Sequence, residues 1–511
     1  MSSEAEFDKN VVHDKKKRAL ITAAVMLATI MQAIDTTIAN VALPHMQGSM
    51  GVFQDQISWV LTSYILAAAI FIPLTGYLVS RLGRKRLFLM SVAGFTVTSM
   101  MCGAAQDIYQ IVIFRFLQGV FGAPLVPLSQ AIMLDSYPRK QHGSAMAMWG
   151  MGVMLGPIIG PTLGGWLTEY YSWRAVFYIN LPLGVVTWFG LAAFLKETPV
   201  DLRRRFDLMG FAFLSISIAG LQMMLDRGES LDWFSSVEII IEAFTAVIFL
   251  YFFIVHIFTI KDPFIDPKIF KDRNFSAGML FMFLIGIVLL AVLALLPPFM
   301  QGLMGYPIID IGNLLAPRGA GTMLSMMIVG RLVEKTDPRG FVFVGLLLIA
   351  YSLREMSFFT NEVSGKVIVL SGFIQGVGLG CIFVPLSTLT FATLGPAMRM
   401  EATPLYNLIR NLGSSLGVSI VITMLSQNSQ VNHEGLSSFI EPNNLGIRLL
   451  EEKGSIDLGS EAGLALMNEL VTQQAVLIAY LQDFRFMMWL TLCSIPLLFL
   501  LKVPDREKVL S

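Results

Sequence analysis

Two side chains of opposite charge stand where charge is expensive. Asp35 opens the run Asp35-Thr-Thr-Ile-Ala-Asn40-Val-Ala-Leu-Pro44, and Arg115 opens Arg115-Phe-Leu-Gln118-Gly119; each run lies inside a long apolar stretch. A carboxylate in such a stretch normally faces a partner or a cavity. Desolvation favours its protonated form, and a neighbouring guanidinium favours its charged form. An acid held between those influences can take up and release a proton. It can equally be half of a structural ion pair, and the residues alone leave both readings open. Asn40, Gln118, Arg318, Asn407 and Arg410 are further polar groups in apolar surroundings and are candidates to line a cavity. Asn407 and Arg410, at i and i+3, share a helical face with Gly413. That face lines a cavity or packs on a partner helix, and nothing in the sequence names a partner for Arg318.

Composition fixes the kind of element that must hold these groups. The chain has 511 residues, of which 55% are hydrophobic and only 14% charged. A soluble domain carries about 25% charged residues, so this chain cannot coat several soluble domains. Its 37 Phe and 30 Met exclude a solvated coil. Its 36 basic residues balance 36 acidic ones, which argues against a nucleic-acid partner held by a dominant basic face. Three Cys exclude a disulfide scaffold. What remains is an all-α polytopic membrane protein.

A spanning helix needs about 20 mostly apolar residues. Fourteen runs qualify: 19–40, 57–80, 86–104, 108–131, 144–167, 174–195, 207–225, 237–258, 276–299, 308–330, 341–359, 366–391, 403–425 and 484–502. The first continues through Asp35 to Pro44 with no small-residue cleavage pattern, unlike a removed signal. With the N-terminus inside, 26 of the 36 basic residues fall in inner segments, which is the bias that sets orientation. Both termini are then cytoplasmic. Asp35 and Arg115 each lie about 8 residues, or about 12 Å, from the outer end of their spans. Equal depth permits contact between them. The polar outer segment 426–483 is the one long excursion, and 459–480 within it has helical spacing of Leu and Ala.

The chain also repeats itself. Gln118-Gly-Val-Phe-Gly-Ala-Pro-Leu-Val-Pro-Leu-Ser129 is similar to Gln375-Gly-Val-Gly-Leu-Gly-Cys-Ile-Phe-Val-Pro-Leu-Ser387, at an offset of 257 that becomes 258 after one insertion. Gly76-Tyr-Leu78 echoes Gly330-Arg-Leu332 at an offset of 254, each before a basic turn. The order of spans then reads as an N-tail (1–18), a six-helix half (19–195), two inserted helices with linkers (196–275), a second six-helix half (276–502) and a C-tail (503–511). Alternating-access transporters are built from such repeated halves with the substrate between them. Gly372 takes the place of Arg115 in the second half, and the place of Asp35 falls near Leu289. A scaffolding pair would recur in both halves, so the single pair points to function.

Two glycine-rich patterns complete the set. Gly76-Tyr-Leu-Val-Ser-Arg81-Leu-Gly83-Arg84-Lys85-Arg86 links the second and third spans, where it marks topology or gates the inner face. Gly152-Val-Met-Leu-Gly156-Pro157-Ile-Ile-Gly160-Pro161 puts small residues at spacing four, which lets helices touch closely. Pro157 removes a backbone donor there and bends a helix. This run serves packing alone or also forms a hinge. Trp173-Arg174, with Phe177, Asn180, Pro182 and Gly184 following, reads as an anchor at the outer interface.

These residues carry a resemblance to the major facilitator superfamily over essentially the whole chain. The likeness is strongest to its fourteen-helix drug:proton antiporters, above all the multidrug exporters that work with a periplasmic adaptor. The resemblance implies a fold of two six-helix halves plus two inserted helices. It makes Asp35 and Arg115 the proton-coupling pair, the Gly152 run the antiporter motif, and Gly76, Arg81, Gly83 and Arg84 the inner-loop gate. Ser80 stands where that loop usually has an Asp, which puts the loop's inter-half salt bridge in doubt. The expected activity is proton-driven export of varied hydrophobic compounds across a bacterial inner membrane. A narrow exporter of one metabolite, siderophore or peptide is the alternative. A periplasmic adaptor and an outer-membrane channel are the partners the resemblance implies. No GKS or GKT sequence is present, and the five His make no metal set, so no cofactor and no enzymatic chemistry are expected.

Overall fold

The computed structural model describes residues 11–201, 205–440 and 460–503. The expected tails therefore lie mostly outside the described residues, as do Arg203, Arg204 and the middle of the excursion, 441–459. We number the helices in chain order. The N-terminal group is α1 (Lys15–Met50), α2 (Gln54–Phe71), α3 (Leu74–Leu82), α4 (Arg84–Ala104), α5 (Ile108–Gly122), α6 (Leu125–Ser136), α7 (His142–Tyr170), α8 (Ala175–Tyr178) and α9 (Asn180–Phe194). Next come α10 (Leu208–Arg227) and α11 (Val237–Thr259). The C-terminal group is α12 (Arg273–Gly302), α13 (Ile308–Leu332), α14 (Pro338–Met356), α15 (Gly365–Phe391), α16 (Pro396–Ser437) and α17 (Glu461–Cys493). No strand occurs among the described residues.

Among the described residues, eleven helices are long and apolar enough to cross a bilayer, or twelve when α2 and α3, bent by 59° at their break, count as one. The expected spans 308–330 and 341–359 fall on α13 and α14, which stay below that measure. Asn313 and Arg318 interrupt α13, and α14 holds Arg339, Arg354 and Glu355 within 19 residues.

The packing recurs from one group to the other. α1 lies on α7 as α12 lies on α16, α5 on α2 and α4 as α15 on α13 and α14, and α9 on α1 and α4 as α17 on α12 and α14. The groups meet where α7 packs on α13 and α15, and where α16 packs on α6 and α3. The inserted pair α10 and α11 packs together, with α10 touching α2 on one side and α16 on the other. Gln222 of α10 donates to Ser415 Oγ at 3.0 Å, and Asp226 accepts from the Thr62 hydroxyl of α2.

The described residues of the polar excursion are largely helix. α16 has 42 residues and α17 has 33, or about 63 and about 50 Å at the helical rise. Both exceed the roughly 30 Å apolar core of a bilayer. Their outer parts stay paired: Asn432 donates to the Ala475 carbonyl at 3.4 Å, and His433 meets Asn468 at 3.1 Å. The periodicity at 459–480 belongs to α17.

Candidate functional site

Asp35 is fully buried at the meeting point of three helices. Its Oδ2 accepts from Arg115 Nη1 of α5 at 2.8 Å, and its Oδ1 accepts from Gln118 Nε2 at 2.9 Å and Asn180 Nδ2 of α9 at 2.7 Å. Arg115 is 1% exposed, and Gln118 and Asn180 are not exposed at all. Arg115 Nη1 also donates to Gln118 Oε1 at 2.8 Å, and its Nε to the Val60 carbonyl at 3.2 Å. The guanidinium lies 4.6 Å from the Tyr64 ring centroid, whose hydroxyl accepts from Gln32 at 3.1 Å. The donors thus come from two helices, Arg115 and Gln118 from one turn of α5 and Asn180 from α9, and both oxygens of the charged form are satisfied. A proton on Asp35 turns one acceptor oxygen into a donor and removes the counter-charge of Arg115. The contacts of Asp35 tie α1 to α5 and α9.

Of the sequence candidates, Asp35, Arg115 and Gln118 come together. Asn40 is exposed and stands apart. Asn180 joins the cluster although its run reads as an interface anchor. That anchor reading is corrected, because Trp173 is 4% exposed and Phe177 is fully buried. Arg174 stacks on Trp173 at 4.2 Å and donates to the Ala105 carbonyl at 2.9 Å, so the run staples a loop into the core. An amide in so apolar a run was the signal available for Asn180.

The glycine run of α7 faces the helix that carries the acid. A Cβ on Gly156 would collide with the Ala33 carbonyl, and one on Gly160 with the Thr37 side chain. Thr37 Oγ1 donates to the Gly156 carbonyl at 3.0 Å, and Gly152 abuts Met26. α7 runs on through Pro157 and Pro161. Because backbone would have to yield, Gly156→Ala should destabilise the protein by about 1–3 kcal/mol, the usual cost of overpacking. A thermal unfolding midpoint equal to wild type in detergent would show that the close approach is dispensable.

At the end of the molecule that carries the basic loops, the two groups are latched. Asp135 of α6 meets Arg84 of α4 at 3.2 Å and Arg399 of α16 at 3.7 Å, with all three side chains buried. Gly76 of α3 lies against the backbone of Met400 and Glu401. Its repeat counterpart Gly330 lies against Gly143 and Ala147 of α7. Ser144 donates to Glu334 at 2.8 Å, and Asn407 donates to Gln130 Oε1 at 2.8 Å. Arg81 is exposed. Gly83, at φ +86°, takes a backbone angle that favours glycine and turns α3 into α4, where Glu197 accepts from the Lys85 and Arg86 amides. With Ser80 in the loop, the buried acid that joins the groups is thus Asp135, which sequence reasoning missed. Arg410 is half-buried and, among the described residues, donates to its neighbour Asn411 at 3.4 Å. Arg318 is buried and donates to the Leu289 carbonyl at 3.2 Å.

Comparison with known proteins agrees with this architecture. Residues 25–418 match the family model described as Major Facilitator Superfamily. The chain is 39% identical to the multidrug export protein EmrB of Escherichia coli strain K12 over 428 residues, 83% of each chain. It is 35% identical to the fatty acid resistance protein FarB of Neisseria gonorrhoeae over 95% of this chain and 96% of that one. It is also 35% identical to the probable multidrug resistance protein EmrY of Escherichia coli strain K12, over 91% of each. The human organic anion transporter MFSD10 shares the fold, with a TM-score of 0.60 at 14% identity over 93% of this chain and 99% of its own. A multi-pass helical chain with two repeated helix groups and these relatives is a transporter rather than an enzyme: it belongs to the major facilitator superfamily.

Proposed function

We propose that this protein exports structurally varied hydrophobic compounds from a bacterial cell in exchange for protons. The observation that carries the reading is the buried Asp35–Arg115 pair, enclosed by Gln118 and Asn180. The multidrug export names of its relatives support the substrate range. α1–α9 and α12–α17 act as two six-helix halves that rock about the α7–α13 contact, with α10 and α11 inserted between them. Fourteen helices then cross the inner membrane and leave both termini in the cytoplasm. In this cycle a proton from outside neutralises Asp35 and releases Arg115. The α7 glycine run transmits that change, because it lies directly on α1. The Asp135 latch and the Gly76–Arg84 loop close the cytoplasmic side, and Asn407 and Arg410 border the central path.

Everted membrane vesicles test the reading. With an acid interior maintained by respiration, addition of any of several unrelated lipophilic compounds should partly collapse the proton gradient. Vesicles whose gradient ignores the whole panel would overturn it. A periplasmic adaptor, and through it an outer-membrane channel, fits the paired outward extensions of α16 and α17. The adaptor should co-purify in mild detergent from the native membrane, and recovery of the transporter alone would count against it.

A further inference from the structure

We propose that the C-terminal group holds a binding site for an organic carboxylate, built from Arg318 of α13 and Gln375 of α15. The inference deepens the efflux reading by naming one substrate class, and it starts from the repeat. A Cβ on Gly119 would strike the Tyr64 carbonyl, and a Cβ on Gly376 would strike the Arg318 carbonyl. Tyr64 and Arg318 therefore hold corresponding places on α2 and α13, as the offset of 254 also gives. In the N-terminal group the Arg115 guanidinium lies over Tyr64. In the C-terminal group Gly372 replaces Arg115, and Arg318 Cβ lies 3.7 Å from where a Cβ on Gly372 would sit. The cation is thus delivered into the matching space from the neighbouring helix. Gln375 is the repeat partner of Gln118, and it too is buried.

What α12 lacks is the acid that α1 carries; the buried acid of this group, Asp483 of α17, makes no hydrogen bond among the described residues. Ile285 and Leu289 of α12 line the cavity on the side where α1 presents Asp35, and Ile349 and Leu379 line it further. Arg318 makes one hydrogen bond, to the Leu289 carbonyl, while its Nη1 and Gln375 Oε1 have no partner among the described residues. A guanidinium at this depth without a counter-charge is costly. A carboxylate matches its planar fork, and rotation of the Gln375 amide turns an N–H toward the same oxygen pair. The apolar lining suits a hydrocarbon tail, and a single cation suits a single negative charge. The cavity has room for about one water, about 10 Å3. A tailed acid therefore occupies the site when α12, α13 and α15 part during the transport cycle.

Binding to the full chain in nanodiscs, with no proton gradient, tests this apart from drug–proton exchange, so failure of the exchange reading does not enter the result. Decanoate should bind wild type, and Arg318→Gln should weaken it by about tenfold or more. Binding of decanol, which carries the same tail without the charge, should not change. Gln375→Glu places a carboxylate beside Arg318, so it should exclude decanoate and raise the unfolding midpoint. Should Arg318→Gln fail to fold, the glutamate variant decides: excluded decanoate supports the site, and undiminished binding overturns it. Equal decanoate affinity in Arg318→Gln, equal losses for decanoate and decanol, or full displacement of decanoate by equimolar chloride would each overturn it.

Discussion

Asp35→Asn should abolish drug-dependent proton movement in proteoliposomes while leaving a folded protein. The substitution keeps the shape of the side chain and one acceptor oxygen. It removes the one carboxylate in the cluster. Gln118 and Asn180 are neutral amides, and Arg115 holds its proton throughout. Flux should therefore fall to the level of protein-free liposomes rather than decline in part. The substitution also leaves Arg115 buried without its counter-charge, a loss of about 3–5 kcal/mol when one partner of a buried pair is removed outright. The retained acceptor oxygen offsets part of that. Pairing it with Arg115→Gln should restore the unfolding midpoint while flux stays absent, which separates coupling from folding. Undiminished exchange in Asp35→Asn would end the assignment.

The second large effect lies at the opposite end of the pathway. Asp135→Ala removes the carboxylate that Arg84 and Arg399 share in a buried setting. Loss of one partner from a buried ion pair costs about 3–5 kcal/mol, and here the acid serves two cations on opposite groups. The unfolding midpoint should drop well below wild type, and Asp135→Asn should fall between the two. Because the contact joins α4 and α6 to α16, its loss should also free the basic-loop end to open. Hydrogen exchange should accelerate in α3 and in the first turns of α16, with α9 and α17 unaffected. Uniform acceleration over the whole chain would show that Asp135 stabilises the fold without latching it. A midpoint equal to wild type would show that it does neither.

Both predictions concern charges, and the two were not equally legible. Asp35 and Arg115 could be paired before any coordinates, because depth along a span is a one-dimensional quantity that residue counting yields. Gln118 was legible only as a cavity candidate; as i+3 to Arg115 on α5 it shares that face, and the structure joins it to the pair. Asn180 was visible as a polar residue but was read as an anchor. Whether a residue near the end of a span faces lipid or core depends on the rotation of its helix, which a uniformly apolar run does not encode. Trp173 misled for the same reason: aromatic rings occur both at the interface and in cores.

Asp135 was not legible because it stands at the end of the apolar α6, outside the loop that carries the basic run. With Ser80 in that loop, the inter-half salt bridge stood in doubt, and only the packing of α6 on α16 revealed another acid in a bridging place. Arg318 is the sharpest case. The repeat places Gly372 opposite Arg115, and so no cation at that position of the second half. Space is filled by side chains from any neighbouring helix, and α13 supplies the cation that α15 lacks.

The sequence by itself therefore determined the membrane class, the helical elements, the repeat and the matching depth of Asp35 and Arg115. These follow from composition, period and counting along one chain. Only the tertiary structure decided which helix stands beside which. It also decided which face each helix turns inward, and so which acid meets the buried cations at the basic-loop end: Asp135 for Arg84 and Arg399. Ion pairing falls off within a few ångströms, while the partners here are separated by up to 264 residues along the chain. No local pattern carries that information; the packing of helices does.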